Sequence, residues 1–161
     1  MLELLPAAGV TREAAQKILS RGPDPAGDVD ALFDEALQVI EAHPDLFTDA
    51  AFEEVDVAAL APSLERQISG TIDRLIITPE RVVAVDFKTN AVVPATADAV
   101  PEGILRQMGA YLEALEQIFP DRPIEVAILW TKDASLMNLP HGIVREALGR
   151  TQHLDVRPTA T

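Results

Sequence analysis

Residues 66–88 read RQISGTIDRLIITPERVVAVDFK. Two runs rich in β-branched side chains, 66–77 and 82–88, flank Thr78-Pro79-Glu80-Arg81, and this pattern predicts an antiparallel hairpin. A four-residue connection pairs Ile77 with Val82, Leu75 with Ala84 and Asp73 with Asp86. Side chains alternate along a strand, so Asp73, Leu75 and Ile77 share a face with Val82, Ala84, Asp86 and Lys88. Directly opposed residues have Cβ atoms about 4.5–5.5 Å apart, and like charges placed there repel. A divalent cation with hard oxygen ligands would offset that repulsion, and Mg²⁺ commonly uses one or two carboxylates plus substrate phosphate. Lys88 on the same face suits orienting an attacking water or neutralising charge on a phosphate. The alternative is an ordinary hairpin in a shifted register, with Asp73 bound to Arg74 or solvent and Lys88 paired with Asp86. Spacing alone leaves both open.

Outward from the hairpin, residues 102–119 carry a helical stripe of Ile104, Leu105, Met108, Leu112, Leu115 and Ile118, ended by Pro120. Residues 124–131 form an apolar run suited to a buried central strand. Strand, crossover helix and strand over 82–131 imply a right-handed parallel βαβ unit beside an antiparallel hairpin. The expected fold is therefore α/β, a mixed central sheet flanked by helices. A short strand near 136–139 and a helix near 142–150 follow. Upstream, the pattern predicts a helix over 11–21, a second helix capped by Asp28 with Val29, Leu32, Phe33, Ala36, Leu37 and Ile40 as its stripe, and a strand at 52–57. This divides the chain into an N-terminal helical segment (1–50), a core (51–150) and a flexible tail (151–161). Gln107 and Tyr111 lie four apart, hence on one helix face, where an amide and a hydroxyl suit phosphate or sugar contacts. The alternative is a polar helix edge with Tyr111 in the packing. Trp130 is expected in the core, His141 and His153 in solvent, and Arg74 on the face opposite Asp73 as a surface or packing residue.

Composition narrows the function. The chain has 161 residues, 48% hydrophobic, enough for one domain but not for a helicase motor, and no GxxxxGK phosphate loop occurs. ATP-driven activity is thus expected outside this chain. The absence of Cys excludes disulfides, thiolate zinc sites, Fe–S clusters and cysteine nucleophiles. No apolar run approaches the ~20 residues of a membrane span, residues 1–10 lack a signal-peptide pattern, and a cytoplasmic location is expected. Thirteen Lys and Arg face 26 Asp and Glu, and residues 1–60 hold 13 of those acids against three basic side chains. That balance argues against a stand-alone, salt-sensitive DNA binder.

Three ordered segments carry a resemblance: Ser69-Gly70-Thr71-Ile72-Asp73-Arg74-Leu75, Val85-Asp86-Phe87-Lys88-Thr89-Asn90 and Gln107-Met108-Gly109-Ala110-Tyr111. They resemble the nuclease motifs of the RecB-like branch of the PD-(D/E)XK superfamily. Leu129-Trp130-Thr131 with Leu136-Met137-Asn138-Leu139-Pro140 is similar to the C-terminal nuclease domains of the AddA family, helicase–nuclease subunits that process DNA double-strand breaks in bacteria. The likeness runs from about Phe52 to Pro140. It implies Asp73, Asp86 and the Phe87 carbonyl as ligands of Mg²⁺, with Mn²⁺ as substitute, and Lys88 as the catalytic lysine. It implies Gln107 and Tyr111 as residues that contact DNA or steady the site. It further implies an acid on the first core strand, for which Glu54 is the best match and Glu53 the fallback. The implied substrate is single-stranded DNA delivered by a helicase, and the implied partner a second subunit of the AddB type. Two departures stand out. Ile72 replaces the proline of the nominal pattern, and the His-bearing helix that precedes a segment like Leu2-Glu3-Leu4-Leu5-Pro6 is missing, with His43 a poor substitute. The expectation is a fragment of a longer helicase–nuclease, lacking one metal ligand. A catalytically silent nuclease-fold docking module is the other reading.

Overall fold

The hairpin lies inside a five-stranded mixed sheet. The computed structural model describes residues 29–153. Helix α1 (Val29–Ala42) and a 3-10 turn (Pro44–Phe47) precede strands β1 (Ala51–Ala61), β2 (Arg66–Ile77) and β3 (Val82–Lys88). A 3-10 turn (Ala97–Ala99) leads into helix α2 (Glu102–Ile118). Strands β4 (Ile124–Trp130) and β5 (Ser135–Asn138), helix α3 (His141–Gly149) and a last 3-10 turn (Arg150–His153) complete the described chain. The strand order is β1-β2-β3-β4-β5. The β3–β4 pair is parallel and joined through α2, and the other pairs are antiparallel. This is the α/β fold expected of a PD-(D/E)XK core.

Every residue of β3 from Val82 to Asp86 is buried, as a strand covered on both faces requires. On one face Ile72, Leu75, Ala84, Val126 and Ile128 pack against Met108, Leu112 and Leu115 of α2 and Val144 of α3. On the other, Val83, Val85, Ala127 and Leu129 pack against Val39 of α1 and Leu46. Each fully buried Leu or Ile contributes roughly 1.5–3 kcal/mol relative to exposure.

Several local expectations change. Strand β1 extends to Ala61, because Ala58–Ala61 pair with Arg66–Ser69. The α1 stripe is narrower than its sequence: Phe33, Ala36 and Val39 are buried, whereas Leu32 and Leu37 are exposed. His141 is exposed, as expected, but it opens α3 instead of lying in a loop, with its Nε2 2.8 Å from the Ile124 carbonyl. Trp130 is fully buried, as expected. The helix over 11–21, the Asp28 cap and residues 154–161 lie outside the described residues.

Candidate active site

The expected hairpin register holds from Ile77↔Val82 to Arg74↔Val85, where the β2–β3 ladder ends. Continued by two residues, it would give the Phe87 amide to the Ile72 carbonyl. Instead Phe87 N–H donates to Asp73 Oδ2 at 2.7 Å. The side chain has taken over a backbone bond. The β1–β2 ladder is interrupted at the same level: Glu53↔Arg74 and Val55↔Ile72 pair, but Glu54 and Asp73 do not. Glu54 has a positive φ of 46°. Alternation slips there, since Ile72 faces the α2 core while Arg74 points to the opposite face against Phe47 and Phe87. Regular alternation therefore did not describe Asp73. It reaches Asp86 by leaving the ladder, not by standing in a regular pair.

Asp86 is 2% exposed at the carboxyl end of the parallel β3–β4 pair, the end where open α/β sheets place ligands. Burial pushes its pKa up; contact with Lys88 and its charge act against this, and the neighbouring Asp73 adds to the rise. Lys88 Nζ lies 2.6 Å from Asp86 Oδ2. Oδ2 is thus a buried carboxylate oxygen whose close partner is this ammonium. Gln107 organises the other side. Its Nε2 donates to Asp86 Oδ1 (3.3 Å) and to the Tyr111 hydroxyl (2.9 Å), and its Oε1 accepts from Lys88 (3.5 Å). The Tyr111 hydroxyl donates to the Thr71 carbonyl at 2.6 Å. Burial, opposed by the bond from Gln107, raises the Tyr111 pKa, so the hydroxyl stays protonated.

The structure thus brings Asp73, Asp86, Phe87, Lys88, Gln107 and Tyr111 to one place. It keeps Tyr111 buried, with its hydroxyl committed to the backbone. Glu54 is exposed beside the Asp73 position on β1, and Glu53 pairs with Arg74 on the far face at 2.7 Å. Among the described residues no group of three His, Cys, Asp or Glu side chains converges tightly enough to hold a metal ion. His43 is spoken for by the Ala134 carbonyl, 2.6 Å from its Nε2.

Gly70 is a further determinant, quoted in the motif but given no role by sequence reasoning. A Cβ there would lie 2.9 Å from Tyr111 Cε1, so only glycine admits the ring. Its position three residues before Asp73 was the available signal. An open groove of about 600 Å³ adjoins Gln107 and Tyr111, lined also by Arg66, Gln67, Ser69, Gly70 and Thr71.

A divalent cation fits the donor set. Two neighbouring carboxylates repel, and the buried one already draws an ammonium against its oxygen, so the pair offers hard oxygen donors to positive charge. Asp73, Asp86 and the Phe87 carbonyl are the residues that would hold it.

The sequence profile of the PD-(D/E)XK nuclease superfamily matches residues 7–156. No curated protein matches the chain. A solved structure titled "Crystal structure of SSO0001" is similar at 15% identity, covering 81% of this chain and 61% of that one, with a TM-score of 0.41. The chain thus spans about three fifths of that relative's length. Among the described residues no helix is long and apolar enough to cross a membrane.

Proposed function

The chain belongs to the PD-(D/E)XK nuclease superfamily, and from that premise we propose that it is a Mg²⁺-dependent deoxyribonuclease domain that hydrolyses phosphodiesters. The observation that carries the reading is the convergence of Asp73, Asp86 and Lys88 around Gln107. Mg²⁺ held by the two carboxylates would supply Lewis acidity to the phosphodiester and acidify water at neutral pH. The chain's own residues do the positioning. Asp86 is held by Gln107 and Lys88, and Asp73 by the Phe87 amide, so neither carboxylate must reorganise. Lys88, with a partly exposed side chain and its ammonium 2.6 Å from Asp86, is placed to orient the nucleophile or to offset charge on the phosphate. The groove along β2 beside Gln107 offers a strand a path to that point.

The resemblance to AddA-family domains supports a finer reading: an exonuclease-type domain of a longer helicase–nuclease that works in double-strand break repair with an AddB-type partner. Tethering to a motor would supply a high local concentration of single strand, so an acidic domain need not attract DNA itself. The silent docking module is the second reading because Glu54 does not join the aspartate pair and no third acid among the described residues completes the group.

The test is cleavage of single-stranded DNA with Mg²⁺ by wild type, Asp86→Ala and Lys88→Ala, in the full-length protein as well as this domain. Loss of cleavage in both variants is expected. Equal activity in all three rejects the proposal.

A further inference from the structure

We propose that Arg74, which takes no part in the chemistry above, is a positioning residue: its buried guanidinium fixes the departure of Asp73 from the sheet. Arg74 is the first residue of β2 paired on both sides, to Glu53 on β1 and to Val85 on β3. Asp73, one residue earlier, is paired on neither. Arg74 is 1% exposed, with Nη1 donating to Glu53 Oε1 at 2.7 Å. Its Cζ lies 4.8 Å from the Phe47 ring and 5.9 Å from the Phe87 ring. Its Nε and Nη2 have no hydrogen-bond partner among the described residues. A buried charge left this way is expensive to keep, and replacing such groups by apolar ones is often neutral or stabilising. Packing alone therefore does not account for it.

What the guanidinium does contact is Phe87, and the Phe87 amide is what holds Asp73. Ring, peptide and carboxylate form one chain of contacts running through the sheet, from Glu53 on the far face to the acid on the near one. A planar guanidinium can pair with Glu53 and lie against two rings together; a lysine ammonium cannot. The inference about geometry stands on these contacts. Its consequence for metal affinity rests on the functional reading above.

Two readouts test it on wild type, Arg74→Lys and Arg74→Met: amide hydrogen exchange at Phe87, referenced to Val126 in β4, and calorimetric titration with Mn²⁺. The expected result is faster exchange at Phe87 with Val126 unchanged, and Mn²⁺ binding weakened about 10–100-fold, the usual effect of losing a residue that orients a ligand. Folded variants with wild-type protection at Phe87 and wild-type Mn²⁺ affinity overturn it. If Arg74→Met does not fold, Arg74→Lys decides on the same measurements. If wild type binds no Mn²⁺, the metal reading falls, and exchange at Phe87 alone decides the role of Arg74.

Discussion

Asp73 stands to Phe87 as a backbone carbonyl would. Its Oδ2 accepts the Phe87 amide at 2.7 Å, at the level where the β2–β3 ladder stops. The carboxylate is thus fixed by the sheet itself, and it brings a second negative charge to the buried Asp86. The site holds two acids at a cost to the fold, and that cost is measurable.

Removing the buried charge should stabilise the metal-free protein. Asp86→Asn keeps the shape and the contact with Gln107, and Lys88 is exposed enough to find water. An increase of about 1 kcal/mol, or roughly 2–4 °C in Tm, is expected in EDTA. Mn²⁺ should reverse the order, raising wild type and leaving the variant unmoved. Calorimetric melting with and without Mn²⁺ checks both halves; a variant less stable than wild type in EDTA would contradict the account.

The same group sets a pH dependence. Its folded pKa lies above the ordinary 3.8, chiefly through burial. The folded state therefore binds the proton more tightly than the unfolded chain. The stability this contributes is full below 3.8 and is lost as pH rises through the raised folded value. The difference in unfolding free energy, wild type minus Asp86→Asn without metal, should fall with pH over that window and then level off. A difference that rises over it would refute the assignment.

Gln107 touches Asp86, Lys88 and Tyr111 through a single amide. Gln107→Ala should reduce Mg²⁺-dependent cleavage about 10–100-fold while costing only about 1 kcal/mol of stability. Tyr111→Phe, which removes the bond to the Thr71 carbonyl, should do the converse: about 1–2 kcal/mol of stability and a smaller loss of rate. Denaturant titrations beside initial rates separate the two. Equal effects on both quantities in both variants would mean that the network is structural only.

Gly70→Ala should cost about 1–3 kcal/mol by driving a methyl group into the Tyr111 ring. The cost should shrink in a Tyr111→Ala background, and a double-mutant cycle measures the coupling. Additive effects would show that the clash is relieved elsewhere.

Much of this arrangement could be read from the chain because strand and helix periods are local. The hairpin turn at 78–81, the pairing of Ile77 with Val82 and Leu75 with Ala84, the α2 stripe and the largely buried β4 all follow from neighbouring residues. The proximity of Asp73 to Asp86 was anticipated from regular alternation, yet it arises where alternation fails. Nothing in Ile72-Asp73-Arg74 announces that Ile72 and Arg74 turn to opposite faces; contacts from Phe47 and Phe87, distant in sequence, decide it. Leu37 differs from its helical pattern for a related reason, since exposure is settled by what a neighbouring element does or does not cover.

Gly109 carries a consequence for how the domain tolerates change. A Cβ there would run into the Val144 carbonyl and lie 3.1 Å from Leu148 Cβ, so α2 rests directly on the backbone of α3. Gln107 is two residues away on the same rigid rod. The aim of its amide is thus inherited in part from a helix that supplies none of the site's side chains. Substitutions at Val144 or Leu148 that tilt this seating would silence the domain with every acid, the lysine and the glutamine still present. A survey of inactive variants should accordingly trace a footprint down the back of α3, well outside any map drawn from the chemistry alone.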